Sequence, residues 1–173
     1  EYARRWPNTA FTAVRYGNVT GSTGSVTWKW WHSIQSDGSV TLTDPDMTRF
    51  WMSPSEAVAA IVEATKVTSG GVLIPRCAAA SVGAVAEAMG ARRIDRIGLR
   101  PGERMDEMLV RREEWPRVVE IKAPGRWGTG LYLRPAYESG HPGALHEYRS
   151  SAAVHDLSAE EIRAMIDEAR ALW

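Results

Sequence analysis

The stretch Val14-Arg15-Tyr16-Gly17-Asn18-Val19-Thr20-Gly21-Ser22-Thr23-Gly24-Ser25-Val26 decides how the chain is read. Phe11, Ala13 and Val14 supply the apolar, partly β-branched run of a strand buried in a sheet. Gly17, Gly21 and Gly24 then free the backbone to turn and let another molecule come close. A helix follows from Ser25 to about Asp37, with Gly38 as its stop. Strand, glycine loop and helix in that order make an α/β unit, and Asn18 falls where the strand ends. Open α/β sheets bind ligands outside the carboxyl ends of their strands, so Asn18 is the first candidate site residue. The same spacing also suits an ordinary strand–loop–helix connection.

Upstream, Glu1-Tyr2-Ala3-Arg4-Arg5-Trp6 reads as the last turns of a helix, which implies a preceding portion. It lacks the apolar core of a signal peptide. Downstream, Val40 and Leu42 alternate with Thr41 and Thr43 as a short strand closed by Asp44-Pro45-Asp46, and Met47 to Met52 is extended. Ser53-Pro54-Ser55-Glu56 starts a helix whose inward face is traced by Val58, Ile61, Val62 and Thr65. Gly70-Gly71 precedes a buried strand at Val72-Leu73-Ile74, and Ser81 caps a helix carrying Val82, Val85, Ala86 and Met89. Arg104 to Val110 reads as helical, Val118 to Ile121 as a strand, and Gly125 to Gly143 as loop. Ser158-Ala159-Glu160-Glu161 is a capping box, opening a helix with Ile162, Met165, Ile166, Ala169 and Leu172 on one face.

The bulk composition excludes several classes of function. Lys+Arg and Asp+Glu balance at 21 each, so neither nucleic acid nor an anionic membrane surface is indicated as a partner. A local site for one phosphate group remains compatible with that balance. No apolar run approaches the ~20 residues of a membrane span. Cys77 is the single cysteine; it fits a reducing, cytoplasmic setting and reads as a small residue at the end of a buried strand. Trp28, Trp30 and Trp31 crowd one helix as core or interface. His32, His141, His146 and His155 show no paired metal-ligand spacing, and no Gly-x-Ser-x-Gly elbow is present. No glycine set has the Gly-x-Gly-x-x-Gly spacing of a dinucleotide cradle.

Two arginines remain. Arg49 stands among Met47, Thr48, Phe50 and Trp51, and burying an unmatched guanidinium costs several kcal/mol. A phosphate or carboxylate would satisfy its planar donors. Arg100 sits in a Pro-Gly turn with Glu103, where one residue can hold a phosphate and the other accept from paired hydroxyls. Structural ion pairs with Asp44, Asp46 or Glu103 are the competing reading for both arginines.

Four ordered motifs carry a resemblance. They are Arg15-Tyr16-Gly17-Asn18-Val19, Gly21-Ser22-Thr23-Gly24-Ser25-Val26, Thr43-Asp44-Pro45-Asp46-Met47-Thr48-Arg49-Phe50, and Arg100-Pro101-Gly102-Glu103-Arg104-Met105-Asp106-Glu107. Together they resemble the UDP-N-acetylglucosamine 4,6-dehydratases and CapD-like polysaccharide biosynthesis proteins, which are extended short-chain dehydrogenase/reductases. The match runs in order to about Glu114 and resumes at Glu147-Tyr148-Arg149-Ser150-Ser151. The resemblance implies an α/β fold: the carboxyl-terminal portion of a Rossmann-type sheet plus the small substrate-binding domain. Residues 1–115 would hold the last Rossmann elements and the substrate region, and 116–173 a family tail.

The resemblance also implies roles. Asn18, Val19, Ser25 and Val26 would contact the sugar nucleotide, Arg49 its diphosphate, and Arg100 with Glu103 the uridine diphosphate. Tyr16, Gly17 and Val19 would pass near the nicotinamide end of NADP. Three departures stand out: Thr23 replaces a usual basic residue, Trp28 lies near a usual proline, and Asp106 replaces a histidine. In the family, hydride leaves sugar C4 for NADP, a base takes the C5 proton, water is lost across C5–C6, and hydride returns to C6. The Tyr-x-x-x-Lys motif for that chemistry is not in this chain, so no residue here is assigned a catalytic role and NADP would be held mainly upstream. The resemblance further implies a cytoplasmic homo-oligomer for the full-length protein. A non-catalytic UDP-sugar-binding module, or a fragment of a related epimerase or reductase, is the alternative.

Overall fold

The computed structural model of the chain describes residues 5–6, 8–122, 129–134, 147–153 and 156–172. Its first elements are β1 (Thr12–Val14), β2 (Asn18–Val19), α1 (Val26–Asp37), β3 (Ser39–Leu42), β4 (Thr48–Met52) and α2 (Pro54–Ala64). Then come β5 (Gly71–Pro75), β6 (Ala78–Ser81), α3 (Val82–Ala88) and β7 (Arg93–Arg96). The last are β8 (Met108–Val110), β9 (Val118–Lys122), β10 (Thr129–Leu133) and α4 (Ala159–Arg170). The class is α/β, as expected. The chain divides into two compact units, one of residues 1–16, 55–76 and 108–148, the other of 17–54, 77–107 and 149–173.

The first unit is a mixed sheet in the order β1-β5-β10-β9. β1 runs parallel to β5, with Val14 opposite Leu73, and β10 is antiparallel to both β5 and β9. Leu73, Ile74, Leu131 and Val118 form its buried centre. The Tyr132 hydroxyl bonds Gly70 O and Ser69 Oγ, which satisfies its polar end inside the unit.

Three expectations are corrected in this unit. Among the described residues the opening strand is an edge rather than a buried strand: β1 pairs with β5 alone, and Phe11 and Ala13 are exposed. α2 buries Ala57, Ala60 and Ala64, while Val58, Ile61 and Val62 are 60%, 48% and 54% exposed and Thr65 is exposed too. The face turned inward is thus the alanine face and not the valine–isoleucine face. Within Gly125 to Gly143, residues Thr129–Leu133 are a strand: Leu131, Tyr132 and Leu133 are buried and paired on both sides, although nearby glycines and prolines read as loop. Apart from Arg134, the rest of that stretch lies outside the described residues, as do His141, His146, His155 and most of the expected N-terminal helix end.

In the second unit β2 pairs parallel with β4, Asn18 opposite Trp51, and β6 pairs antiparallel on the other side of β4. β3 and β7 form a parallel pair. The helix ends follow local chemistry. Ser25 Oγ accepts from Trp28 N–H at 3.3 Å, and Gly38 closes α1 by donating to Ile34 O at 3.1 Å. Ser81 caps α3, and Ser158 with Glu161 makes the complete capping box of α4. Ile162, Met165, Ile166 and Ala169 are buried as expected, whereas Leu172 lies past the helix end and is exposed. Trp30 is core, and the Trp31 ring lies 3.8 Å from the Arg170 guanidinium carbon. Cys77 is buried just before β6.

The strand expected to run through to Asn18 ends at Val14, and Asn18 opens a second strand, with Gly17 in the link between them. A Cβ there would come within 2.4 Å of Phe50 Cβ and 2.6 Å of Phe50 O, so the residue must be glycine for the backbone to pass. Arg104 to Val110, expected as helix, is a turn followed by β8. Its carbonyls are taken from outside the segment: Met105 O accepts from Thr48 N–H at 2.8 Å, and Arg49 donates to Arg104 O at 3.0 Å.

Returning to the first unit, Arg15 makes a bidentate pair with Glu114, both N···O distances 2.8 Å, and also donates to Leu109 O. Glu114 further accepts from Arg111 N–H at 3.0 Å. The hydrogen bond from Arg15 is the main cause that holds the Glu114 carboxyl below its ordinary range, and the same bond raises Arg15. A depressed carboxylate contributes stability above its unfolded pKa and loses it as pH falls through the folded one. Glu114→Gln is therefore expected to cost about 1 kcal/mol near neutral pH, a figure already reduced for solvent screening. Melting curves should show the gap to the wild type closing below about pH 4. A gap that stays constant from neutral pH to pH 3 would contradict this reading.

Candidate functional site

The second unit holds a cleft of about 510 Å³, within the ~300–1,000 Å³ of small-molecule sites. Regular periodicity builds its walls. Val26, Lys29, Trp30 and Ser33 come from α1 at the i, i+3, i+4, i+7 spacing of one helix face. Met47, just before β4, and Arg49 and Trp51 within it follow the period-two spacing of one strand face. Thr41, Leu42 and Thr43 add a further wall, Asn18 stands on β2, and Arg100 and Glu103 project from the turn after β7. The Trp30 and Trp51 indole N–H groups donate to Thr41 O and Ala80 O, so their rings offer apolar surface only.

The edge of the cleft is tied by one carboxylate. Glu107 accepts from Asn18 Nδ2 at 3.1 and 3.0 Å, accepts from Phe50 N–H at 3.3 Å, and faces Arg49 Nε at 3.6 Å. Asn18 Nδ2 also donates to Phe50 O at 3.0 Å. Arg49 Nη1 donates to Thr48 O and Met105 O, while Nη2 donates to Arg104 O and faces Met47 Sδ. Both terminal nitrogens of Arg49 thus already have protein acceptors. Behind them, buried Ser150 accepts from Glu107 N–H at 2.9 Å and donates to Thr48 O at 3.0 Å. Asp106 accepts from Ser151 Oγ at 2.7 Å, and this bond, with Arg149 beside it, holds its carboxyl below the ordinary range.

Of the residues singled out in the sequence, Asn18, Val26, Arg49, Arg100 and Glu103 line this one cleft. Val19 lies in β2 and Ser25 caps α1; neither lines it. Gly17 packs on Phe50, and Tyr16 belongs to the first unit. The ion pairs weighed for the arginines are not those formed. Arg49 meets Glu107, Asp44 meets Arg96, and Glu103 is engaged by Thr43 Oγ1 at 3.1 Å and by Arg100 N–H at 3.1 Å. Sequence reasoning missed Lys29, Ser33 and Glu107. The helical stripe starting at Val26 would have found the first two; Glu107 carries no local signal because its partners are 57 and 89 residues away.

Glu107→Ala removes acceptors from Asn18, Phe50 and Arg49 together. We expect a loss of about 1–3 kcal/mol in urea unfolding and faster proteolytic nicking at residues 100–107. An unchanged midpoint with unchanged nicking would show that the carboxylate does not tie this edge.

Comparison with known proteins agrees with this architecture. A family model described as polysaccharide biosynthesis protein matches residues 2–123. The capsular polysaccharide biosynthesis protein CapD of Staphylococcus aureus is 36% identical over 125 residues, covering 66% of this chain and 21% of that protein. A UDP-glucose 4-epimerase of Rickettsia bellii is 32% identical over 168 residues, 91% of this chain and 49% of that protein. The UDP-N-acetylglucosamine 4,6-dehydratase (inverting) of Campylobacter jejuni is 32% identical over 118 residues, 66% of this chain and 35% of that protein. This chain spans less than half the length of each of these relatives. The X-ray structure of Pen from Bacillus thuringiensis superimposes with a TM-score of 0.80 at 29% identity, over 98% of this chain and 53% of that one. The chain therefore belongs to the polysaccharide biosynthesis protein family, among relatives named as nucleotide-sugar dehydratases and epimerases.

Proposed function

We propose that this chain is the substrate-binding carboxyl-terminal segment of a nucleotide-sugar 4,6-dehydratase acting on UDP-N-acetylglucosamine in surface-glycan synthesis. One observation carries the reading: a cleft of about 510 Å³ lined together by Arg100, Glu103, Thr41, Thr43 and two tryptophans within a single compact unit. Such a mixture suits a ligand with a phosphorylated part, hydroxyls and a flat ring. In this reading Arg100 takes a phosphate and Glu103 accepts from a hydroxyl. Asn18 and Val26 border the sugar nucleotide, with Val19 and Ser25 supporting the loop between them. Arg49 acts through the turn it braces, its own donors being engaged.

NADP is the hydride carrier this family reading calls for, and Tyr16, Gly17 and Val19 are the positions proposed to pass near it. The residues of the glycine loop do not fit its pyrophosphate. Gly21 N–H donates to Thr27 Oγ1 and Trp28 N–H to Ser25 Oγ, so the start of α1 is capped by its own side chains. No hydride or proton step is therefore assigned to this chain. The whole protein is read as a cytoplasmic homo-oligomer.

A 4-epimerase is the second reading, favoured by the Rickettsia match across 91% of the chain. The two separate by product in an enzyme containing this segment, a 4-keto-6-deoxy sugar in one case and the 4-epimer in the other.

Calorimetric titration of the chain with UDP-N-acetylglucosamine tests the common core. Saturable binding is expected, weakened about ten-fold or more by Arg100→Ala, as for loss of one charge-assisted hydrogen bond. Affinity that is absent, or indifferent to Arg100→Ala, would contradict it.

A further inference from the structure

The cleft of the second unit is lined by three cations, and they are not equivalent. Arg49 is spent on carbonyls and Glu107. The Arg100 guanidinium and the Lys29 ammonium have no hydrogen-bond or ion-pair partner among the described residues. Glu103, the carboxylate among the lining residues, is committed to the Thr43 hydroxyl and to Arg100 N–H. Two cations without a direct ion pair among the described residues therefore border one hollow, one from α1 and one from the turn after β7.

Like charges sharing a partly enclosed space repel, and an anion between them relieves that cost. Each cation also keeps its full donor set, three N–H groups on lysine and a planar fork on arginine. A single phosphate monoester needs only one such partner. A ligand with two adjacent anionic centres uses both. Lys29 is one helical turn from Val26 and from Ser33, both of which line the cleft, so its place on the wall follows from the helix and not from a mobile loop.

We propose that Lys29 is a specificity-determining residue that, with Arg100, selects a nucleoside diphosphate over the corresponding monophosphate. The assignment rests on the nucleotide-sugar reading above and adds to it a residue and a discrimination. Lys29 is exposed, and glutamine is as good a helix former as lysine, so substitution leaves the fold in place.

The test is calorimetry on the 173-residue chain with UDP and UMP at fixed low salt, for the wild type, Lys29→Gln, Lys29→Arg and Arg100→Gln. The wild type should prefer UDP by about ten-fold or more, the scale of one charge-assisted hydrogen bond. Lys29→Gln should lower UDP affinity about ten-fold and UMP affinity less than about three-fold, flattening the preference, with a shallower salt dependence. Lys29→Arg should keep the wild-type preference, and Arg100→Gln should weaken both ligands. If Lys29→Gln keeps the wild-type ratio while Arg100→Gln weakens binding, Lys29 is a solvated surface cation; the proposal falls and the nucleotide reading stands. If the wild type binds neither ligand, the nucleotide reading fails and takes this proposal with it.

Discussion

The second unit depends on a half-buried electrostatic knot in which the Glu107 carboxylate is shared by an amide, a peptide N–H and a guanidinium. Its effect is directional. By engaging Asn18 and Phe50 it fastens β2 against β4; by facing Arg49 it keeps that guanidinium turned toward the carbonyls of Arg104 and Met105. Those carbonyls are then unavailable to helical partners, so the segment runs as an open turn and Arg100 is presented at the cleft. Both terminal nitrogens of Arg49 thus meet protein acceptors, whereas the Arg100 guanidinium and the Lys29 ammonium have no partner among the described residues. Removing Glu107 takes one shared acceptor from three half-buried donors at once, so its loss costs more than that of a single exposed pair.

Much of the fold was legible where its causes are local. Ser25, Ser81 and Ser158 cap helices because their hydroxyls reach the first-turn amides, and Gly38 ends α1, all within a few residues of sequence. Strands β3, β4, β5 and β9 show in their β-branched and apolar runs. The failures share the opposite cause. Which face α2 buries is set by tertiary surroundings that a periodic reading of the helix does not contain, and it is the face of three alanines. The turn at 104–107 yields its helical propensity to donors 55 and 56 residues away. Thr129–Leu133 hides between glycines and prolines, yet finds strands on both sides.

The site was legible in its charged corners and not in its walls. Asn18, Arg100 and Glu103 stand out as polar residues at a strand end and a Pro-Gly turn, and they do border one cleft with Val26 and Arg49. Lys29 passed unnoticed because a lysine on an amphipathic helix is ordinarily a solvated residue, and only the cleft beside it gives it another meaning. The matches cover 21%, 49% and 35% of the length of the three curated relatives named above. Among the described residues no helix is long and apolar enough to cross a membrane.

The most direct measurement is a titration of UDP-N-acetylglucosamine into the ¹⁵N-labelled chain, followed by amide chemical shifts. Saturable shifts should concentrate on the amides of Asn18, Lys29, Trp30, Thr43, Arg100 and Glu103, with the sheet residues Val72 to Ile74 unmoved. Shifts confined to the first unit, or none that saturate, would contradict a nucleotide site in the cleft of the second.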